Sequence, residues 1–276
     1  MTARGTAARD TAARGIAGAV LKSKKYSDID PAVVERISAE TIPKYHKQKD
    51  IVKAVKKELH IIHESFLRED CPAKAEELID GYPGEDMKGD KAFSAALMAL
   101  HSSTNERLSQ AAEIYGFIGR YVDADDNIID AGCGFSPFAL PYFSNLPQSY
   151  LALDISASTV RVLNKYFEAA GLSYRAEICD VAAQTPRSHG NVLFMFKLLP
   201  LLERRKKGRA HDLIGDLGCK TSIVSFPTKS VSGKEKGMEA FYSRLFENGL
   251  PTDHAIIEKM SFHNEMFYVL RKRNSM

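Results

Sequence analysis

The 276-residue sequence predicts an α/β fold: an open, mostly parallel sheet closed by an antiparallel hairpin and preceded by an N-terminal helical region. Three observations carry that expectation. From about residue 125 onward, short apolar runs alternate with helical patterns. Before that point, apolar residues recur at helical spacing between turn signals. Near the C-terminus, "AIIEKMSF" and "EMFYVLRK" are separated only by His263 and Asn264, which is the spacing of a two-residue hairpin. With 44% apolar residues the chain can bury a substantial core.

Taken in order, the chain opens with "MTARGTAARDTAARG", a loose repeat of Ala, Thr, Arg and Gly without a large apolar side chain. An unstructured arm is expected over residues 1–19, with a nucleic-acid contact or no role at all. Its Arg-rich, acid-poor composition also resembles an organelle transit peptide. Residues 20–105 read as a helical domain. Asp30 and Pro31 offer an N-cap and an N1 proline ahead of Val33, Val34 and Ile37. Ile51, Val55, Leu59, Ile62 and Phe66 form the apolar stripe of a second helix, with lysines mostly on its other faces. His60 and His63 in "HIIHE" match neither order of the zinc-binding helix motifs, so no metal is expected there.

In "HSSTNER", Ser103 and Glu106 have the spacing of a capping box, and Leu108, Ala111, Tyr115 and Ile118 continue as one helix face. Arg107 is then out of place, because the helix dipole disfavours a cation in the first turn. A ligand or plain solvent exposure would account for it. Residues 106–276 read as the second domain. Strands are expected at 127–130, 150–154, 174–179, 191–197 and 221–226, and helices near 137–145, 157–170, 201–217 and 238–247.

Composition excludes several classes. No stretch approaches the roughly 18 apolar residues of a membrane span, and residues 1–20 lack the apolar centre of a secretory signal. Cys71, Cys133, Cys179 and Cys219 lie far apart, so neither a zinc site nor a disulfide framework is suggested, and a reducing cytoplasm fits. The net charge of +3 hides an uneven distribution. "KYHKQKDIVKAVKK" carries Lys44, Lys47, Lys49, Lys53, Lys56 and Lys57, and "ERRKKGR" forms a second basic run. Both suit an anionic macromolecular partner, and both also suit two solvated helix faces.

The turn in "IIDAGCGFSPFALPYF" narrows the chemistry. Gly132 and Gly134 follow an apolar strand, as in a Rossmann-like dinucleotide turn, but Pro137 occupies the place of the third glycine that packs helix against strand beside a pyrophosphate. Ser136 and Pro137 read as a helix cap and first position. A nucleoside ligand without pyrophosphate suits this turn, and S-adenosylmethionine is such a ligand. Asp154 in "LALDIS" follows Gly132 at close to the ~20-residue spacing of a ribose-binding acid. Asp180 in "EICDV" ends the next strand, near the place for an adenine amino group. Each aspartate is also a common turn former at a strand end.

"HSSTNER", "DAGCGFSPFALPYF", "FMFKLLPLLERR", "SIVSFPTKSVSGKEKGME" and "NEMFYVL" together resemble the aminoglycoside-resistance 16S rRNA (guanine(1405)-N(7))-methyltransferases, the Arm/Rmt group and its actinomycete relatives. The likeness runs from about Val20 to Lys272; residues 1–19 have no clear counterpart. It implies a helical domain that docks on the assembled 30S subunit and a Rossmann-like class I methyltransferase sheet that uses S-adenosylmethionine. Carried over by motif, the cofactor residues are Phe66, His101, Ser102, Ser103, Arg107, Gly132, Asp154, Asp180, Val181 and Phe196. Arg205 is added to that set, although several relatives carry an uncharged polar residue there. Arg107 would pair with the methionine carboxylate. Lys197 would orient the target guanine, with Lys229, Lys234, Lys236 and Glu239 beside the nucleotide and the lysines of residues 44–57 on rRNA.

What is missing agrees with this chemistry. The chain has "KLLP" where amine methylases commonly carry [DN]-P-P-[YF], and it has no Pro-Cys nucleophile. N7 of guanine needs neither, because its lone pair is free at neutral pH and in-line positioning suffices. Lys197 then serves as a donor to guanine O6 rather than as an acid or base. A monomer with no metal and no membrane contact is expected. Two alternatives stay open: methylation of another rRNA or tRNA purine such as the A-site adenine, and a cofactor-binding RNA-associated protein without turnover.

Overall fold

The alternating apolar runs assemble into a seven-stranded sheet in the order β3-β2-β1-β4-β5-β7-β6. A computed structural model describes residues 3–63, 71–228, 237–262 and 264–273. The strands are β1 (Asn127–Ala131), β2 (Ser149–Asp154), β3 (Arg175–Ile178), β4 (Val192–Phe196), β5 (Thr221–Pro227), β6 (His254–Phe262) and β7 (Glu265–Lys272). The first five pair in parallel, and the β6–β7 hairpin joins β5 antiparallel. The expected class I methyltransferase sheet is therefore present. Its chain order reverses direction between β1 and β4, which opens a crevice at the carboxyl ends of those strands.

Period-2 alternation along each strand feeds two cores. On one face Ile128, Tyr150, Phe194 and Phe267 pack against helices α4 (Cys71–Asp80), α5 (Lys91–Ala99), α7 (Ala111–Gly119) and α8 (Ala157–Ala169). On the other, Ile129, Leu151, Leu193 and Tyr268 pack against α9 (Leu199–Arg205), α10 (Arg209–Leu217) and α11 (Met238–Asn248). The expected helix over 201–217 is thus two helices. Gly208, at φ 78°, caps the start of α10 in a left-handed conformation that breaks the run.

A third core belongs to the N-terminal helices α1 (Ala3–Leu21), α2 (Pro31–Thr41) and α3 (Gln48–His63). Asp30 caps α2 by accepting the Ala32 N–H at 2.9 Å, with Pro31 in the first turn as the sequence suggests. The unstructured arm expected over residues 1–19 is corrected here. Ala3–Leu21 is helical, and Ala13, Ile16, Ala17 and Val20 are buried on one face. The signal was weak because half of that stripe is alanine, which favours a helix while adding little hydrophobicity. Arg9 ties α1 to α2 by donating to the Ala39 carbonyl at 2.7 Å. The cores divide between α3 and α4, whereas the sequence suggested a boundary near residue 105; α4 and α5 lie in a core with the sheet.

The capping box expected at Ser103 and Glu106 does not form either. The short helix α6 (Ser102–Asn105) has His101 at its N-cap, and the Ser103 hydroxyl meets His101 Nδ1 at 2.9 Å. Glu106 reaches Lys197 instead. Leu108–Gln110 is a separate 3-10 turn before α7, and the helix expected near 137–145 is 3-10 over Ser136–Tyr142, with Phe135 rather than Ser136 at its N-cap.

Candidate functional site

A cleft of about 840 Å³, counting its open mouth, lies at the carboxyl ends of β1, β2 and β4. Gly132 and Gly134 form its floor at φ 65° and 49°. A Cβ on Gly132 would sit 2.8 Å from the Leu198 side chain, and one on Gly134 would sit 3.2 Å from the His101 ring. Both glycines are therefore favoured by their left-handed conformation, and a side chain at either would also push on its neighbour.

Asp154 ends β2 beside that floor, where Oδ2 accepts the Gly134 N–H at 3.0 Å and Oδ1 accepts the Ser156 N–H at 2.9 Å. Asp180 follows β3 and is 7% exposed. Its carboxylate accepts from Arg205 Nη1 at 3.0 and 3.1 Å, from the Ala182 N–H at 3.1 Å, and from Arg36 of α2. Val181 is buried next to it, and its carbonyl accepts from Arg209 Nε at 2.8 Å. Phe196 ends β4 with its ring 5.1 Å from the Arg107 guanidinium.

Lys197 is the one non-glycine among the described residues with positive φ, at 56°. That conformation costs about 1–3 kcal/mol and is held by its surroundings. Its N–H donates to the Ser225 carbonyl at 3.0 Å, and its ammonium, 5% exposed, reaches Glu106 Oε2 at 2.5 Å and Glu265 Oε2 at 3.7 Å. The misplaced charge of Arg107 is also explained. Arg107 is buried and donates to both oxygens of Glu265, through Nε at 2.8 Å and Nη2 at 2.7 Å. Nη1 turns toward Ser136 Oγ at 3.4 Å and the Tyr115 hydroxyl at 3.5 Å.

Burial alone would lower the Arg107 pKa, but the Glu265 carboxylate outweighs it and holds the guanidinium charged. Burial alone would raise Glu265, but Arg107 and Lys197 keep it below the usual carboxylate range. His101 is pushed down to about 3 by burial and by the positive charges of Arg107 and Lys197, so its ring is neutral at physiological pH. Asp130, near the end of β1, is pushed up to about 7, chiefly by burial. Its Oδ2 accepts the Tyr150 hydroxyl at 2.7 Å, while Oδ1 has no hydrogen-bond partner among the described residues.

Of the residues expected from sequence, His101, Ser103, Gly132, Asp154, Asp180, Val181, Phe196, Lys197 and Arg205 line this one cleft. Arg107 stands behind it, touching the lining residue Ser136, and Ser102 lies one residue from the wall. Phe66, Lys229, Lys234 and Lys236 lie outside the described residues. Glu239 is exposed in the first turn of α11. Lys44, Lys47, Lys49, Lys53 and Lys57 are exposed on α3 and the turn before it, and Lys56 is half-buried. Sequence reading missed Glu106 and Glu265 as partners of the buried cations, and Arg36 altogether. Glu265 stands in the quoted "NEMFYVL", but nothing local marks it, because its partner Arg107 is distant in sequence.

A family model for ribosomal RNA methyltransferases (FmrO) matches residues 22–269. The chain is 34% identical over 254 residues to the 16S rRNA (guanine(1405)-N(7))-methyltransferase of Serratia marcescens, spanning 92% of this chain and 96% of that protein. It is 32% identical over 259 residues to that of Micromonospora echinospora, spanning 92% and 94%. The solved structure of 16S rRNA methyltransferase RmtF in complex with S-adenosyl-L-homocysteine superposes with a TM-score of 0.85 at 32% identity, covering 95% of this chain and 98% of that one. That of the 16S rRNA methylase RmtB gives a TM-score of 0.81 at 27% identity, with coverage of 95% and 98%. With its sheet order, its glycine-floored cleft and a family match over nearly its whole length, the chain belongs to the ribosomal RNA methyltransferase (FmrO) family.

Proposed function

We propose that this enzyme transfers the methyl group of S-adenosylmethionine to N7 of the A-site guanine of 16S rRNA in the assembled 30S subunit, acting as a cytoplasmic monomer and conferring aminoglycoside resistance. The observation that carries this reading is a cleft whose glycine floor and strand-end carboxylates lie beside the buried side chain of Lys197. Relatives that match along nearly their whole length are named for guanine 1405 of 16S rRNA, and the neighbouring RmtF structure holds S-adenosyl-L-homocysteine. No helix among the described residues is long and apolar enough to cross a membrane.

The residues fit the cofactor. Asp154 is assigned the ribose hydroxyls, which a carboxylate at that strand end accepts. Asp180 and Val181 are assigned the adenine, with Arg205 holding Asp180. His101, Ser102, Ser103 and Gly132 are assigned the methionine end, and Arg107 its carboxylate through the Nη1 edge that faces Ser136. Phe66 is retained from the resemblance, and Phe196 walls the reacting end. A neutral His101 adds no third positive charge near a sulfonium, whereas an imidazolium would repel it.

When bound, the cofactor supplies an electrophilic methyl group. The chain has only to place guanine N7 in line with it, because no proton must first be removed. Lys197 donates to guanine O6 in exchange for its bond to Glu106. The exposed lysines of residues 44–57 engage rRNA phosphates, with Lys229, Lys234, Lys236 and Glu239 beside the target nucleotide. A methyl group and a positive charge on the guanine then oppose a cationic drug by clash and by repulsion.

Expression in a susceptible bacterium should give resistance to gentamicin- and kanamycin-type drugs while sparing apramycin and streptomycin. Borohydride and aniline cleavage should mark N7-methylguanine in assembled subunits. Soluble protein with neither outcome would sink this reading, and resistance that included apramycin would favour the A-site adenine instead.

A further inference from the structure

The bundle of α1, α2 and α3 meets the rest of the chain at the loops that form one end of the cleft. Just before α2, Asp28 holds the start of α8 from outside. Its Oδ1 accepts the Ser158 N–H at 2.9 Å, and its Oδ2 accepts the hydroxyls of Ser156 at 2.5 Å and Ser158 at 2.7 Å. The backbone adds Ala157 N–H to the Asp28 carbonyl at 3.0 Å and Asp30 N–H to the Ile155 carbonyl at 3.2 Å. Ile155 itself packs against the bundle core. A second tie is made by Arg36, whose Nη2 donates to Asp180 Oδ2 while Nη1 donates to Glu40 at 2.6 Å. Ile155, Ser156 and Asp180 all line the cleft.

We propose that the N-terminal bundle is a working wall of the cofactor pocket, with Arg36 as a positioning residue that acts on the cofactor through Asp180. This rests on reading the cleft as the S-adenosylmethionine site. A carboxylate that is 7% exposed keeps a single orientation only where cations and N–H groups hold it. Arg205 and Ala182 come from the sheet domain and grip it from one side; Arg36 comes from the bundle and fixes Oδ2. Without Arg36 the carboxylate keeps its place in the wall but loses one of two cations. The ties through Asp28 set the neighbouring loop, so both loops at this end of the pocket depend on where α2 lies. Cofactor affinity is therefore a property of the bundle as well as of the glycine turn, and by linkage cofactor binding favours one placement of the bundle.

The test is calorimetry of S-adenosylhomocysteine on the full chain in a double-mutant cycle. Arg36→Gln should weaken binding about tenfold, the low end for a hydrogen bond to a charged group, because Arg205 remains. Arg36→Lys, which keeps the cation, should bind within about threefold of the unmodified chain. In an Asp180→Asn background, Arg36→Gln should cost less than about twofold more. Binding within twofold of the unmodified chain for Arg36→Gln would overturn the proposal. So would an equal loss in the Asp180→Asn background, since that would mean general misplacement of the bundle. Circular dichroism checks folding. Where Arg36→Gln is unfolded, Asp28→Asn provides the independent tie, with a loss of about threefold expected and unchanged affinity overturning the proposal. An unmodified chain that does not bind S-adenosylhomocysteine would instead sink the cofactor reading, before any variant is compared.

Discussion

The lysines of α3 and the charges around Glu265 are the same side-chain chemistry in opposite surroundings. On α3 Lys49, Lys53 and Lys57 stand in solvent, where charge costs little and long-range attraction to phosphate is the main effect. Around Glu265 the guanidinium of Arg107 and the ammonium of Lys197 are at most 5% exposed, so each must be matched at hydrogen-bond distance. The first region tolerates substitution one residue at a time. In the second, loss of Glu265 strands buried positive charge and loss of Arg107 strands a buried carboxylate.

The hardest way to break that contrast is at its centre. Glu265→Gln leaves Arg107 buried without its carboxylate and should cost about 3–5 kcal/mol of stability, measured by urea unfolding. Arg107→Ala should cost as much, so its effect on cofactor binding cannot be read without a stability control. Replacing both members, Arg107→Met with Glu265→Leu, should recover most of the stability and none of the methylation. If the single variants unfold like the unmodified chain, the buried charges are not coupled as described.

A second buried group gives a pH signature of its own. Burial pushes the Asp130 carboxyl up to about 7 in the folded chain, from an ordinary value of 3.8, so its contribution to stability is full below the unfolded value and is lost as pH rises through the folded one. Asp130→Asn does not ionise. The difference in stability should move toward the variant by up to about 4 kcal/mol between pH values of roughly 4 and 8. Parallel stability curves for the two proteins would remove the burial argument.

Lys197→Met tests the donor to guanine O6. Methylation of subunits should fall about 10- to 150-fold, the range for a hydrogen bond to a charged group, while S-adenosylhomocysteine affinity changes less than about threefold. An equal loss in both would place Lys197 in cofactor binding. The smallest stability effect belongs to α3. Replacing Lys49, Lys53 and Lys57 together by Glu should leave stability within about 0.5 kcal/mol per site while weakening subunit binding and flattening its salt dependence. Preserved subunit affinity would return these lysines to a solvated face.

Much of the sheet was legible because period-2 apolar runs, the Gly132-x-Gly134 turn and strand-end aspartates are local signals. Expected strand ends agree with the observed ones to within about a residue, and the hairpin lies where its two-residue separation put it. Errors fell where a local rule competed with a distant partner. Ser103 and Glu106 have the spacing of a capping box, yet Glu106 is drawn to Lys197 and Ser103 to His101. The N-terminal segment looks too polar to fold, yet Ala13, Ile16, Ala17 and Val20 find cover against α2 and α3. The Glu106–Lys197 contact and the packing of α1 on α2 and α3 both lie outside any local window, whereas the Ser103–His101 contact is local and was missed.

By itself, then, the sequence determined the strand order's raw material, the glycine floor, the two carboxylates at strand ends and the basic character of α3. Each depends on backbone conformation or on periodicity over a few neighbouring residues. Tertiary structure alone decided which charges are buried together. Arg107 meets Glu265 only because β7 lies beside β5, and Arg36 meets Asp180 only because the bundle is seated on the loops after β2 and β3. Those pairings matter because desolvation makes a buried charge depend on one partner at about 3 Å, and the partner is chosen by the fold rather than by the residues next to it in the chain.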